Sequence, residues 1–125
     1  MNWVEDTIRD FGRGMGVENL SFNNEGFLCL DIETLGSLFI ERIEEAVIVY
    51  LAREIPQHVT GILGKALALC HYREGLPFAV NAAFREENLL IFSVRLSENE
   101  VSLPVLERAV DLIMEQHRKV KEEKF

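Results

Sequence analysis

The sequence predicts an α+β domain in which antiparallel strands carry the core and helices flank them. Three observations lead there. Five short runs, 27–32, 37–43, 46–54, 78–85 and 89–96, alternate their apolar residues or are apolar throughout, as strands do. Three longer segments, 2–14, 57–72 and the stretch opened by Pro104, repeat apolar residues at helical spacing. The links at 33–36, 44–45 and 86–88 are too short for a parallel crossover, so the strands they join are antiparallel neighbours. The order is α-β-β-β-α-β-β-α in one domain spanning 1–125.

The run Ala46-Val-Ile-Val-Tyr-Leu51 organises the rest. Alternation puts Val47, Val49 and Leu51 on one face and Ala46, Ile48, Tyr50 and Ala52 on the other. Neither face is polar, so both are expected to be covered. A chain with few helices leaves part of that cover to another molecule, which points to a binding protein.

The first helix carries Val4, Ile8, Phe11 and Met15 on one stripe, with Asn2 and Glu5 spaced as a capping pair. Gly12, Gly14 and Gly16 end it. Gly-Arg-Gly-Met-Gly follows a helix and lacks phosphate-loop spacing, so termination is its reading. In the second helix, opened after Pro56, Val59, Ile62, Leu63, Ala66, Leu67 and Cys70 form a stripe that Leu69 broadens. Gly61, Gly64 and Ala68 make another flank small, as close approach by a second backbone would require. Phe78, Val80, Ala82 and Phe84 share one face of the fourth strand, and Leu90, Phe92, Val94 and Leu96 one face of the fifth. Leu106, Ala109, Val110 and Ile113 form the stripe of the last helix, and 117–124 reads as its charged, cation-rich end. The second helix and 78–80 hold more apolar surface than one small domain hides, so the isolated chain is not expected to be a stable monomer.

Composition narrows the function. Apolar residues make up 48% of the 125, enough for a core. A net charge of −8 and a pI of about 4.9 argue against nucleic acid or an anionic membrane as partner. No apolar run is long enough to span a bilayer, and Met1–Asp6 lacks the basic start of a signal peptide, so a cytoplasmic protein is expected. Cys29 and Cys70 read as buried free thiols.

Catalytic chemistry finds no support. Cys70 and His71 are adjacent on a helix, so their side chains diverge by about 100° and cannot pair as nucleophile and base. No Cys/His cluster has metal-ligand spacing, and no Gly-Lys-Ser/Thr loop occurs. The acidic pairs at 44–45, 86–87 and 122–123 fall in turns or the tail. No catalytic, cofactor-binding or metal residue is assigned.

The chain resembles the class I chaperones of bacterial type III secretion, and within them the SycN type. The resemblance rests on Met1-Asn2-Trp3-Val4-Glu5 to Phe11, Gly16-Val17, Leu51-Ala52-Arg53, Lys65-Ala66-Leu67, Gly75-Leu76-Pro77, Leu90-Ile91-Phe92 and Leu103-Pro104, in order across nearly the whole chain. It implies a twisted five-stranded antiparallel sheet with three helices, acting as a dimer with a second small YscB-like chaperone or with itself. The implied client is the N-terminal segment of a secreted, YopN-like gatekeeper or effector, kept export-competent without ATP hydrolysis. The implied dimer surface falls on Ile62, Leu67, Leu69, Tyr72, Phe78 and Val80. The implied client patches lie around the first helix and first three strands, with Leu28, Leu30, Leu38, Ile40, Ile48 and Tyr50 as candidates. Two other readings stand beside it: a dimeric α+β ligand- or partner-binding regulatory domain outside secretion, and a small cytoplasmic enzyme.

Overall fold

The computed structural model describes residues 3–32, 35–55, 66–68, 78–85 and 88–122, with 121 and 122 by backbone only. The elements are α1 (Trp3–Gly14), β1 (Phe27–Ile32), β2 (Gly36–Ile43), β3 (Ala46–Glu54), helical residues 66–68 (α2), β4 (Val80–Arg85), β5 (Leu89–Ser97), a 3-10 turn (Glu98–Glu100) and α3 (Leu103–Glu122). Three helices and one five-stranded antiparallel sheet are the predicted architecture.

The order across the sheet is β1-β2-β3-β5-β4. The hairpins follow from their short links, but β5 also pairs with β3 along its length, from Ala46 opposite Ser97 to Glu54 opposite Leu89. β3 is therefore central, and β4 lies at an edge running parallel to it.

Register fixes the two faces. Leu28 lies opposite Ile40, Ile40 opposite Val49, Val49 opposite Val94, and Val94 opposite Val80. This row and its neighbours form the inner face, covered by α3, which lies on β3 and β5, and by α1 beside α3. Val47, Val49 and Leu51 are 0% exposed there, beneath Ile8, Leu106, Ala109 and Ile113. Each such aliphatic side chain contributes about 1.5–3 kcal/mol of burial. Ile48 and Tyr50 point the other way and are half-buried, as alternation requires.

Local chemistry sets the ends. α1 closes with Val17 N–H on the Gly12 carbonyl (2.8 Å) and Gly16 N–H on the Arg13 carbonyl (3.1 Å), with Gly16 at φ 84°, a glycine-dependent helix stop. Ser102 Oγ accepts the Val105 N–H at 3.3 Å and caps α3, which places Pro104 in its first turn. The Glu44-Glu45 turn is tied to the end of β5, because Glu98 N–H bonds the Glu45 carbonyl (2.9 Å) and the Arg42 guanidinium reaches the Glu98 carboxylate (3.3 Å).

Three expectations need correction or restriction. β4 begins at Val80, and Phe78 packs half-buried against the core ahead of it, so the strand is shorter than 78–85. Cys29 is exposed: alternation puts it on the outer face of an edge strand. Of the helix expected over 57–72, residues 66–68 are helical, with Ala66 in the core and Leu67 51% exposed, and the rest, Cys70 included, lies outside the described residues.

Gly36 starts β2 at φ 133°, and a Cβ there would collide with the Ala52 carbonyl of β3. Gly36→Ala is expected to cost about 2 kcal/mol or more, from backbone strain and the displaced strand pairing. Urea denaturation measures it, and an unchanged midpoint would refute this reading of the β2–β3 contact.

Candidate protein-binding surface

The outer face of the sheet is half-buried at Phe27, Phe39, Ile48 and Tyr50, and closed at Ala46 and Ala52, which are 2% and 6% exposed. Odd-numbered residues of β1 and β2 and even-numbered residues of β3 emerge there. Phe39 lies directly opposite Tyr50, and their rings stack with centroids 4.9 Å apart at 12°. Phe27, on the diagonal of β1, adds a tilted contact to Phe39 at 5.5 Å. The result is an aromatic row across three strands, the cross-strand pairing that stabilises sheets and also gives a broad contact surface. Ile48 extends the row between Glu41 of β2 and Arg95 of β5.

Electrostatics keep the row neutral. Burial, then the Glu41 carboxylate, raise the Tyr50 phenol above its ordinary range, while Arg85 acts in the opposite direction. Burial, then Asp31, likewise raise the Cys29 thiol. A reactive cysteine needs the reverse shift, so Cys29 belongs to the surface as a small apolar group.

β1 is an edge of the sheet, and its start is guarded. Asn23 Oδ1 accepts the N–H groups of Glu25 (2.9 Å) and Phe27 (3.1 Å), and Asn23 N–H bonds the Phe27 carbonyl (2.8 Å). The folded-back loop and strand enclose a groove of about 440 Å³ lined by Leu20, Ser21, Phe22, Asn23, Phe27, Leu28 and Cys29. It lies at the edge where the outer face ends.

The six expected client residues do not form one surface. Leu28, Leu38 and Ile40 lie on the inner face at 5%, 0% and 0% exposure, and Leu30 packs partly buried on the same side. The two-residue period of a strand separates them from Ile48 and Tyr50, which stand on the outer face with Phe27 and Phe39. Of the expected dimer residues, Leu67 is exposed, Phe78 half-buried, and Val80 buried on edge strand β4. Ile62, Leu69 and Tyr72 lie outside the described residues.

His117, read from sequence as part of a charged helix end, is fully buried against the central strand. Its Nε2–H donates to the Leu51 carbonyl at 2.6 Å, and its Nδ1 accepts from Arg53 Nε at 3.5 Å. Its ring meets Phe92 edge-on at 4.8 Å. The carbonyl can only accept, so the neutral Nε2–H tautomer is the one bound. Burial pushes the imidazole down to about 4, with Arg53 adding to the drop and the Leu51 carbonyl opposing it. The signal that could have found it is spacing: His117 follows Ile113 by four residues and continues the core stripe.

Among the described residues, no group of three or more His, Cys, Asp or Glu is placed to hold a metal, and no helix is long and apolar enough to cross a membrane. The geometry is that of a small α+β domain with a half-buried aromatic sheet face and a groove at one sheet edge. The chain belongs to the family described as Type III secretory system chaperone SycN, whose profile matches residues 3–121. It is 26% identical over 121 residues to the chaperone protein SycN of Yersinia enterocolitica, covering 96% of this chain and 98% of that one. Its fold is similar to that seen in the ExsC–ExsE complex, with a TM-score of 0.76 at 15% identity over 94% of this chain and 92% of the other. The fold also recurs in YbjN of E. coli, described as a putative transcription regulator, with a TM-score of 0.59 at 19% identity over 92% and 86%. The sequence family, not the fold, therefore carries the chaperone role in type III secretion and its implication of a non-enzymatic protein.

The buried imidazole makes stability depend on pH. The unfolded chain takes up this proton near an ordinary pKa of about 6.5, while the folded one resists until about 4. Between these values the unfolded state binds more protons, so stability falls as pH falls, by up to about 3 kcal/mol at the lower end. His117→Gln, which can still donate to Leu51, is expected to flatten this part of the profile. Urea titrations from pH 7 to pH 4 with the same slope for both proteins would refute the assignment.

Proposed function

We propose that this chain is one half of a cytoplasmic chaperone dimer that holds the extended N-terminal segment of a secreted gatekeeper or effector in an export-competent state. The supporting observation is the Phe27–Phe39–Tyr50 row, half-buried and neutral, running to the edge strand β1. An extended segment presents alternate side chains to such a surface and adds backbone hydrogen bonds where it meets a sheet edge. Held in that form it cannot complete its own core, and no nucleotide chemistry is required. The client site therefore narrows to Ile48 and Tyr50, joined by Phe27 and Phe39 and by the groove at Leu20 and Phe22.

The dimer partner is a YscB-like chaperone or a second copy, meeting this chain on the side of α2 and β4. Leu67, a large apolar side chain half in solvent, favours that side. Ile62, Leu69, Tyr72 and Phe78 complete the proposed contact. Val80, whose side chain points into the core, contributes its backbone on the edge.

Two experiments test the proposal. Val49→Asp buries a carboxylate in the core and should unfold the protein, since that costs several kcal/mol against a typical stability of about 5–15 kcal/mol. Ile48→Asp should leave the circular dichroism spectrum unchanged and weaken client capture about tenfold or more, through the loss of roughly 1.5–3 kcal/mol of apolar contact. Full capture by a folded Ile48→Asp protein would rule out the outer face. Separately, Leu67→Glu should keep the fold and halve the mass seen by light scattering of the co-expressed complex. An unchanged mass would move the dimer surface elsewhere.

A further inference from the structure

The side of the molecule away from the aromatic row carries a second opening. A groove of about 460 Å³ lies between the end of α1 and the first turns of α3. Its apolar lining includes Met15, 41% exposed, with Met114 and Pro104. Two of the chain's three methionines face it, which suits a pliable peptide surface better than a rigid small-molecule site. At Gly14 the wall is low: an added Cβ would meet only the Glu107 carboxylate, at 3.9 Å.

Its rim is charged with one sign in excess. Glu107 and Asp111 are exposed, stand four residues apart and so one above the other, about 6 Å along α3. Neither forms an ion pair among the described residues. Arg108 is the single cation in the lining. Arg13, on the last turn of α1, is taken by Asp10 (3.4 Å) and Glu18 (3.9 Å) and does not neutralise the rim.

We propose that this groove docks a basic amphipathic helix of a protein other than the client. Apolar side chains of that helix would seat on Met15 and Met114, and Lys or Arg residues spaced three or four apart would meet Glu107 and Asp111. The occupant is a helix because both walls are helices that use their own backbone groups, so a bound segment must satisfy its own. It is basic because the rim carries unpaired carboxylates on a chain of net charge −8. The sheet separates this groove from the aromatic row, so both sites can be filled at once.

The test uses the full chain, with its co-expressed partner where that is needed for solubility. Two labelled probes are titrated by fluorescence anisotropy at about 0.15 M salt, where long-range charge effects are screened: a leucine/lysine amphipathic helix and its leucine/glutamate counterpart. The wild type should prefer the lysine probe about tenfold or more, and Glu107→Lys with Asp111→Lys should reverse that preference. Met15→Ser should weaken both probes. Glu25→Lys with Glu44→Lys, the same charge change at exposed sites elsewhere, should leave binding unchanged. A benzophenone on the apolar face of the lysine probe should cross-link to Met15 or Met114 in the unaltered protein, with client bound or absent. Failure of the lysine probe to bind, equal loss in the remote charge variant, or cross-links confined to other residues would each overturn the proposal.

Discussion

Everything in this fold depends on β3 being paired on both sides while its inner residues are sealed by α3. β2 on one side and β5 on the other satisfy its backbone, which lets Val47, Val49 and Leu51 lie in a fully dry layer. α3 then takes its position from that layer: Ile113 packs into it and His117 bonds the Leu51 carbonyl. Arg53 adds a second tie, donating from its guanidinium to the His117 carbonyl at 3.5 Å. α1 rests on α3 in turn, so the helical layer is referenced to one strand.

Sealing one side leaves the other half-buried at Phe27, Phe39, Ile48 and Tyr50. A chain of this length has enough apolar residues for two faces but too little helix among its described elements to bury both equally. Aromatic stacking resolves part of the conflict by letting rings cover one another, and the net charge of −8 keeps such a surface dispersed in water. The sheet thus separates a sealed core from a half-buried aromatic face. Membership of a secretion-chaperone family gives that division a purpose.

Much of the fold was legible in the sequence because strand alternation is a local signal. β1 and β3 have the bounds their patterns predict, and the inner and outer residues of β3 separate as alternation requires. The insertion of β5 between β3 and β4 was not legible, since hairpin lengths specify only adjacent strands and the crossover decides the rest. The surface was read less well. A strand's Leu28 and Cys29 look equally apolar in a list, but one is core and the other exposed. His117 was obscured by neighbouring charges, and only its helical phase with Ile113 distinguishes it from Arg118 and Lys119.

The position of β5 also dictates the order in which the molecule can be completed during synthesis. β3 leaves the ribosome with one neighbour, β2, already made, and its second neighbour is absent until the chain reaches Ser97. Through all the intervening residues the most apolar strand of the protein has an unpaired edge, and α3, which covers its inner face, is later still. An open apolar strand is the species most prone to pairing with another chain. The time taken to add residues 55 to 97 therefore sets how long that edge of β3 lacks its native partner.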